Sequence, residues 1–161
     1  MKTSQILPLT AEQLPAVKSI IDGLGLFPSE LLDEMTALFL SGTVQDDLWF
    51  IVIEDGAACA VAYCAPERMT NGTWNLLLIA VQEEHQGRGL GRQLTQQLER
   101  TLPGRGARIL LVETSSLPSF ERTRAVYRRL GYVEEARIRE FYAAGEDKVV
   151  FWKRLESVAG S

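Results

Sequence analysis

Between residues 85 and 94 the chain reads HQGRGLGRQL, with glycines at 87, 89 and 91 and arginines at 88 and 92. Glycine adopts backbone conformations that other residues resist, and lacking a Cβ it lets a ligand approach the main chain closely. Where such a run opens a helix, the first-turn N–H groups have no intrahelical acceptor, and the helix dipole adds positive potential. Such a place suits a phosphate-like anion. Arg88 and Arg92 can add charge-assisted bonds. The plain alternative is a tight turn. Two common phosphate loops are excluded by spacing. No Lys-Ser or Lys-Thr follows the glycines, as a P-loop requires. The run is G-x-G-x-G rather than the dinucleotide fingerprint G-x-G-x-x-G, and the hairpin before it does not suit a doubly wound sheet.

The elements that must position this loop can be read from periodicity. Residues 4–9 read as a short strand. Thr10 with Gln13 forms a capping-box pattern, and Leu14, Val17, Ile20 and Ile21 follow at helical spacing until Gly23 and Gly25. Ser29 can cap a second helix over 30–41, with Leu31, Leu32, Met35, Leu38 and Phe39 on one face and Gly42 as its stop. Asp55-Gly56 is a turn between two apolar strands, and Asn71-Gly72 marks the next turn. TWNLLLIAV (73–81) is apolar on both faces and therefore central. A helix from about 89 to 102 follows the glycine loop and breaks at Pro103-Gly104. RILLVETS (108–115) is another buried strand. Pro118 opens a helix to Leu130, closed by Gly131, and a last hairpin turns at Gly145-Glu146-Asp147. The strand–loop–helix–strand crossover places 73–81 and 108–115 parallel, with antiparallel neighbours.

Composition bounds the rest. The chain has 161 residues, 46% of them hydrophobic and 24% charged, as expected of one soluble domain spanning 1–155 with a frayed tail at 156–161. Neither a signal peptide nor a bilayer-length apolar run is visible, which makes a cytoplasmic location the expectation. Cys59 and Cys64, at odd spacing along a strand, are expected on opposite faces as core thiols. Two thiols alone do not build a zinc site, so no metal is expected. Residues 1–84 hold 12 acids against 3 bases, and residues 85–161 hold 9 against 14. A basic second half suits an anionic ligand, and an acidic first half a cationic one. Nucleic acid is not indicated, because no stripe of aromatic and basic residues appears.

Gln86-Gly87-Arg88-Gly89-Leu90-Gly91 fits Q/R-x-x-G-x-G/A. With LLLIAV before it and AVYRRLGY (125–132) after, the chain resembles the GNAT superfamily of N-acetyltransferases over nearly its whole length. NLLLIAV, LLVETSS, FERTRAVY and EARIREFYAAGEDKVVFWK further resemble one uncharacterised bacterial subgroup. The resemblance implies an α/β fold: a mixed, mostly antiparallel sheet of about seven strands, with a splayed parallel pair at its centre and four flanking helices. It also implies acetyl-CoA as cosubstrate, without a metal.

The family's chemistry is direct attack of an amine on a thioester. A primary amine has a pKa near ~10, so it must lose a proton first. An N–H must meet the developing oxyanion, and the departing thiolate needs a proton. The resemblance places the pyrophosphate on Gln86, Gly87, Arg88, Gly89, Leu90, Gly91 and Arg92. The pantetheine falls along the backbone of Ile79, Ala80 and Val81, with Val81 N–H as oxyanion donor. Tyr127 falls at the general acid's place, against the alternative of a core aromatic. The Asn that many members carry seven residues earlier is Phe120 here, which leaves pantetheine to be held differently, or by Ser115 and Ser116. Asn75 stands near the place of the family's basic Glu. That leaves Glu113 as candidate base, against the alternative of a carboxylate paired with Arg124 or Arg137. A water chain is a further possibility. His85, the only histidine, reads as structural. Candidate acceptor-binding residues are Phe27, Trp74, Asn75, Arg139, Phe141 and Tyr142. The acceptor is a small-molecule or protein amine. A non-catalytic acyl-CoA sensor and a transferase using another acyl-CoA are the alternatives, and strands exposed at the sheet's end make a homodimer plausible.

Overall fold

The computed structural model describes residues 4–43 and 46–157, so residues 158–161 of the expected tail lie outside the described residues. Seven strands form a mixed sheet in the order β1-β2-β3-β4-β5-β7-β6. Four α-helices accompany it among the described residues. Among the described residues, no helix is long and apolar enough to cross a membrane. The chain divides into two compact units, residues 1–65 with 78–97 and residues 66–77 with 98–161.

The first unit holds β1 (Ser4–Pro8), α1 (Leu14–Leu24), α2 (Leu31–Leu40), β2 (Leu48–Glu54) and nearly all of β3 (Ala57–Pro66). To these it adds the end of β4 (Thr73–Val81) and the start of α3 (Leu90–Thr101). Val17, Ile20 and Ile21 recur at helical spacing on α1 and meet Leu32, Trp49, Ile51, Val61 and Ala80 in one core. The expected capping box does not form. Thr10 makes no side-chain cap, and residues 11–13 wind as a 3-10 turn. The Gln13 side chain bridges the neighbouring hairpin instead, donating to Gly56 O and accepting from Ala58 N. α1 also runs through Gly23 and ends only at Gly25, whose φ is +62°. In α2, Ser29 gives no side-chain cap and the buried face is rotated from expectation. Leu32 and Thr36 are buried, while Leu31, Met35 and Leu38 are exposed. Apolar residues fill two adjacent stripes of this helix, and only one can face the core.

Asp55 (φ +52°) and Gly56 (φ +83°) make the two-residue turn of the β2–β3 hairpin. The ladder then slips by one: Ala58 faces Ile53, Ala60 faces Val52, and Cys59 between them has no partner. Cys59 is thus the extra residue of a β-bulge. Strict alternation does not cross a bulge, so the expected opposite facing of Cys59 and Cys64 loses its basis. Both are free, buried thiols.

In the second unit β4 pairs in parallel with β5 (Ile109–Ser115) through Thr73–Leu76 and Ile109–Val112. β5 pairs antiparallel with β7 (Glu146–Arg154), and β7 with β6 (Val133–Ala143). Ala143 faces Glu146, so the hairpin turns at residues 144–145, one position earlier than expected. α4 (Glu121–Arg129) follows a 3-10 turn at Pro118–Phe120. Register assigns the two faces here, because side chains opposite each other across a ladder share a face. Trp74, Leu76, Leu110, Val112 and Phe151 lie on one face, and the ring of Tyr127 from α4 packs 5.8 Å from Phe151. Asn75, Leu111, Glu113, Ser115 and Lys148 lie on the other.

Candidate active site

In the first unit, β4 leads through a 3-10 turn at Glu83–His85 into the glycine loop. Gln86 Nε2 donates to Val81 O at 3.0 Å, tying the loop back to the strand end. Gly87 and Gly89 have φ of +79° and +82°, in the left-handed region where a Cβ is strained. Gly89 O accepts the first helical bond, from Gln93 N at 3.0 Å. The N–H groups of Leu90, Gly91 and Arg92 are therefore the first turn of α3, whose intrahelical acceptors do not exist. Residues 86–89 and Arg92 are exposed, whereas Leu90 is buried and anchors the helix. A Cβ on Gly91 would stand 3.8 Å from Ile79 and 4.0 Å from Val81, so helix and strand touch closely there.

The Arg88 side chain, 39% exposed, reaches back to the end of β2. Its Nη2 lies 3.1 Å from Glu54 Oε1, and His85 Nε2 lies 3.4 Å from Glu54 Oε2. The Glu54 side chain is only 3% exposed. Sequence reasoning missed this residue, which closes the strand just before the Asp55–Gly56 turn and looks like a turn-flanking surface acid. A cleft of ≈ 150 Å³ between Ser19, Ile20, Gly23, Leu24 and Gln82–Glu84 also lies in this unit. It is smaller than the ~300–1,000 Å³ of ordinary ligand pockets. Phe27 packs against the unit's core.

In the second unit the polar face of β4 and β5 carries a linked set. Asn75 Nδ2 donates to Glu67 Oε1 at 2.8 Å and to Glu113 Oε2 at 2.9 Å. Lys148 Nζ lies 3.0 Å from Glu113 Oε1 and 3.6 Å from the centre of the Phe141 ring. Each oxygen of Glu113 therefore has a partner that orients it, and each keeps a further lone pair that can take a proton. The charged partner of Glu113 is Lys148. Arg124 instead donates to Ser115 O and Leu117 O, and Arg137 pairs with Asp147 and Glu134. Lys148 was legible only as a cation inside the apolar run of β7. Half-exposed Tyr142 has its phenol raised above the ordinary value, first by burial and then by the charges of Glu113 and Glu146.

Other expected residues fall elsewhere. Trp74 is buried on the face opposite Asn75, so the two do not line one surface. Arg139 is exposed on β6. Ser115 Oγ donates to Glu146 Oε2 at 2.6 Å and accepts from Leu117 N, while Ser116 Oγ accepts from Asp147 N. These hydroxyls order the turn before α4. Tyr127 is 2% exposed, with its ring edge-on to Tyr132.

A family model described as the acetyltransferase (GNAT) family matches residues 19–132, more than two thirds of the chain. The chain belongs to the GNAT acetyltransferase family. Among solved structures, this GNAT chain is similar to a Desulfovibrio desulfuricans protein assigned to the same family. That likeness has 27% identity and a TM-score of 0.81, over 97% of this chain and 100% of the other. It is similar to the ribosomal-protein-S18-alanine N-acetyltransferase of Escherichia coli at 26% identity and a TM-score of 0.78, over 99% and 97% of the two chains. A Salmonella typhimurium structure solved with acetyl-CoA shares the fold at 17% identity and a TM-score of 0.74, over 98% and 96%. No curated protein matches the chain. The GNAT acetyltransferase assignment agrees with the expected fold: a seven-stranded mixed sheet with β4 and β5 parallel.

Proposed function

We propose that this GNAT enzyme moves an acetyl group from acetyl-CoA to a primary amine by direct attack. The observation that carries the reading is the opening of α3. Two exposed glycines in the left-handed region precede a first turn whose N–H groups lack helical acceptors. That donor set fits a pyrophosphate. Residues 86–92 would hold it through their backbone, with Arg92 adding charge. Arg88 ties the loop to the end of β2 through Nη2 and Glu54, and its other donors are left for the ligand.

The backbone of Ile79, Ala80 and Val81 carries the pantetheine role, and Val81 N–H that of oxyanion donor. Tyr127 gives its proton to the departing thiolate. Glu113, oriented by Asn75 and Lys148, meets the amine and receives its proton directly or through water. Glu67 and Glu113 both face Asn75, which supports a cationic acceptor. Asn75 and Tyr142 are the acceptor-side residues that share this surroundings, and the Escherichia coli relative makes a protein amine worth testing beside small amines.

A second reading, an acyl-CoA sensor without turnover, draws on the pairing of the Glu113 carboxylate with Lys148 and on Phe120 where many members carry Asn. Calorimetric titration with acetyl-CoA, CoA and a dephospho analogue separates the cases when paired with a thiol-release assay over an amine library. Binding by the wild type and its loss in Gly89→Asp, with thiol released on adding an amine, supports the enzyme. Binding without release from any amine supports the sensor. Absence of binding by the wild type rejects both.

A further inference from the structure

Beyond the acetyl-transfer reading, and independent of it, the first unit contains a donor set that neither the loop nor the core accounts for. One donor atom each from Glu54, Cys59 and His85 lies within 4.8 Å of the other two. The residues come from three places. Glu54 ends β2, Cys59 is the unpaired bulge residue of β3, and His85 closes the turn before the glycine loop. A regular strand would have kept Cys59 in the ladder, whereas the bulge re-aims its side chain.

We propose that Glu54, Cys59 and His85 bind a divalent transition-metal ion of the zinc class at the root of the glycine loop. Thiolate, imidazole and carboxylate together are a zinc donor set, and three protein ligands leave the fourth tetrahedral position for water. His85 Nε2 and Glu54 Oε2 are 3.4 Å apart. Two ligands held ~2.1 Å from one tetrahedral ion stand about 3.4 Å from each other.

The unmet bonding at the cluster is the second observation. Among the described residues, four buried side-chain nitrogen or oxygen atoms lack a hydrogen-bond partner, and Glu54 Oε2 is one of them. Glu54 is 5% exposed overall, so water does not readily satisfy its free oxygen. An ion on Oε2 does. Arg88, bonded to Oε1, then serves as the outer partner that fixes a ligating carboxylate in place. The balance is simple: the Cys59 thiol loses its proton to solvent as the sulfur–metal bond forms, and the ion enters as the free aquo cation. The proposal departs from the expectation of no metal, which weighed the two thiols alone; Cys64 is not among these donors. The site draws its other ligands from β2 and the loop.

The test uses Co²⁺ on the chelator-washed full chain, since zinc is spectroscopically silent and cobalt bound to thiolate is not. The wild type should develop a thiolate-to-cobalt charge-transfer band that saturates at one ion per chain and is bleached by Zn²⁺. Cys59→Ala should lose the band and Cys64→Ala should keep it. His85→Ala should weaken binding at least tenfold, and melting curves of each variant report whether it folds. The proposal fails if the wild type shows no band. It also fails if the band survives Cys59→Ala, or if zinc leaves the melting temperature of the wild type unchanged while Cys59→Ala and His85→Ala fold normally.

Discussion

Glu54 meets Arg88 of the glycine loop and His85 just before it, and little of it reaches water. Removing its charge leaves Arg88 facing a neutral amide across a part-buried contact. Charged hydrogen bonds of this kind are worth about 1.5–3 kcal/mol, so Glu54→Gln should lower stability by that order in urea denaturation. Tyr127 is judged by a different measurement. Phenylalanine preserves the packing on Tyr132 and Phe151, so Tyr127→Phe should bind acetyl-CoA nearly as the wild type does. Its turnover should fall at least tenfold in a thiol-release assay. An unchanged rate would return Tyr127 to the core aromatics. Glu113 is separable from its neighbours in the same way. Glu113→Gln keeps the bond from Asn75 but loses the ion pair with Lys148. It should depress turnover with amine acceptors while leaving acetyl-CoA titrations unaltered.

Elements respond to where their glycines sit. Gly72 has φ of +86°, and a Cβ there would stand 2.6 Å from the backbone oxygen of Gly106. Gly72→Ala should therefore cost at least ~2 kcal/mol, visible as a lowered melting temperature, because neither the backbone nor the space accommodates it. Gly23 is the reverse case. It is exposed inside α1, with nothing within 4 Å of an added Cβ. Gly23→Ala should stabilise by up to ~1 kcal/mol through helix propensity. The β6–β7 hairpin carries an acid-sensitive joint. Asp147 accepts from Glu140 N and then from Arg137, and both bonds lower its pKa from the model-compound value of 3.8. A depressed carboxylate adds stability above its unfolded pKa, and that stability is lost as pH falls through the folded pKa. Amide protection in β6, relative to the intrinsic exchange rate, should fall only below about pH 4, and Asp147→Asn should flatten that dependence.

At the scale of the whole chain, sequence reading succeeded where one physical rule acted alone. The apolar run 73–81 and the crossover after it gave the parallel β4–β5 pair, and Asp55-Gly56 gave its hairpin. Reading failed where two groups competed for one role. Gln13 left the expected capping box for the β2–β3 turn, and α2 carried two apolar stripes where one core face was available. For the site, the loop glycines were legible because left-handed backbone has few tolerant residue types. The partners Lys148, Glu67 and Glu54 were not, because long-range ion pairing leaves no periodic trace. Cys59 belongs with these hidden features, and its consequence concerns the history of the gene. Residues within strands rarely tolerate loss, since one deletion inverts every side chain beyond it. Cys59 is exempt. Delete it, and Ala58 and Ala60 become consecutive opposite Ile53 and Val52, which are already consecutive, so every pair in the ladder survives. A three-nucleotide deletion therefore keeps the β2–β3 register, costs the bond from Gln82 N to Cys59 O and removes one donor from the cluster, and relatives of this protein should divide into chains with the extra residue and chains without it.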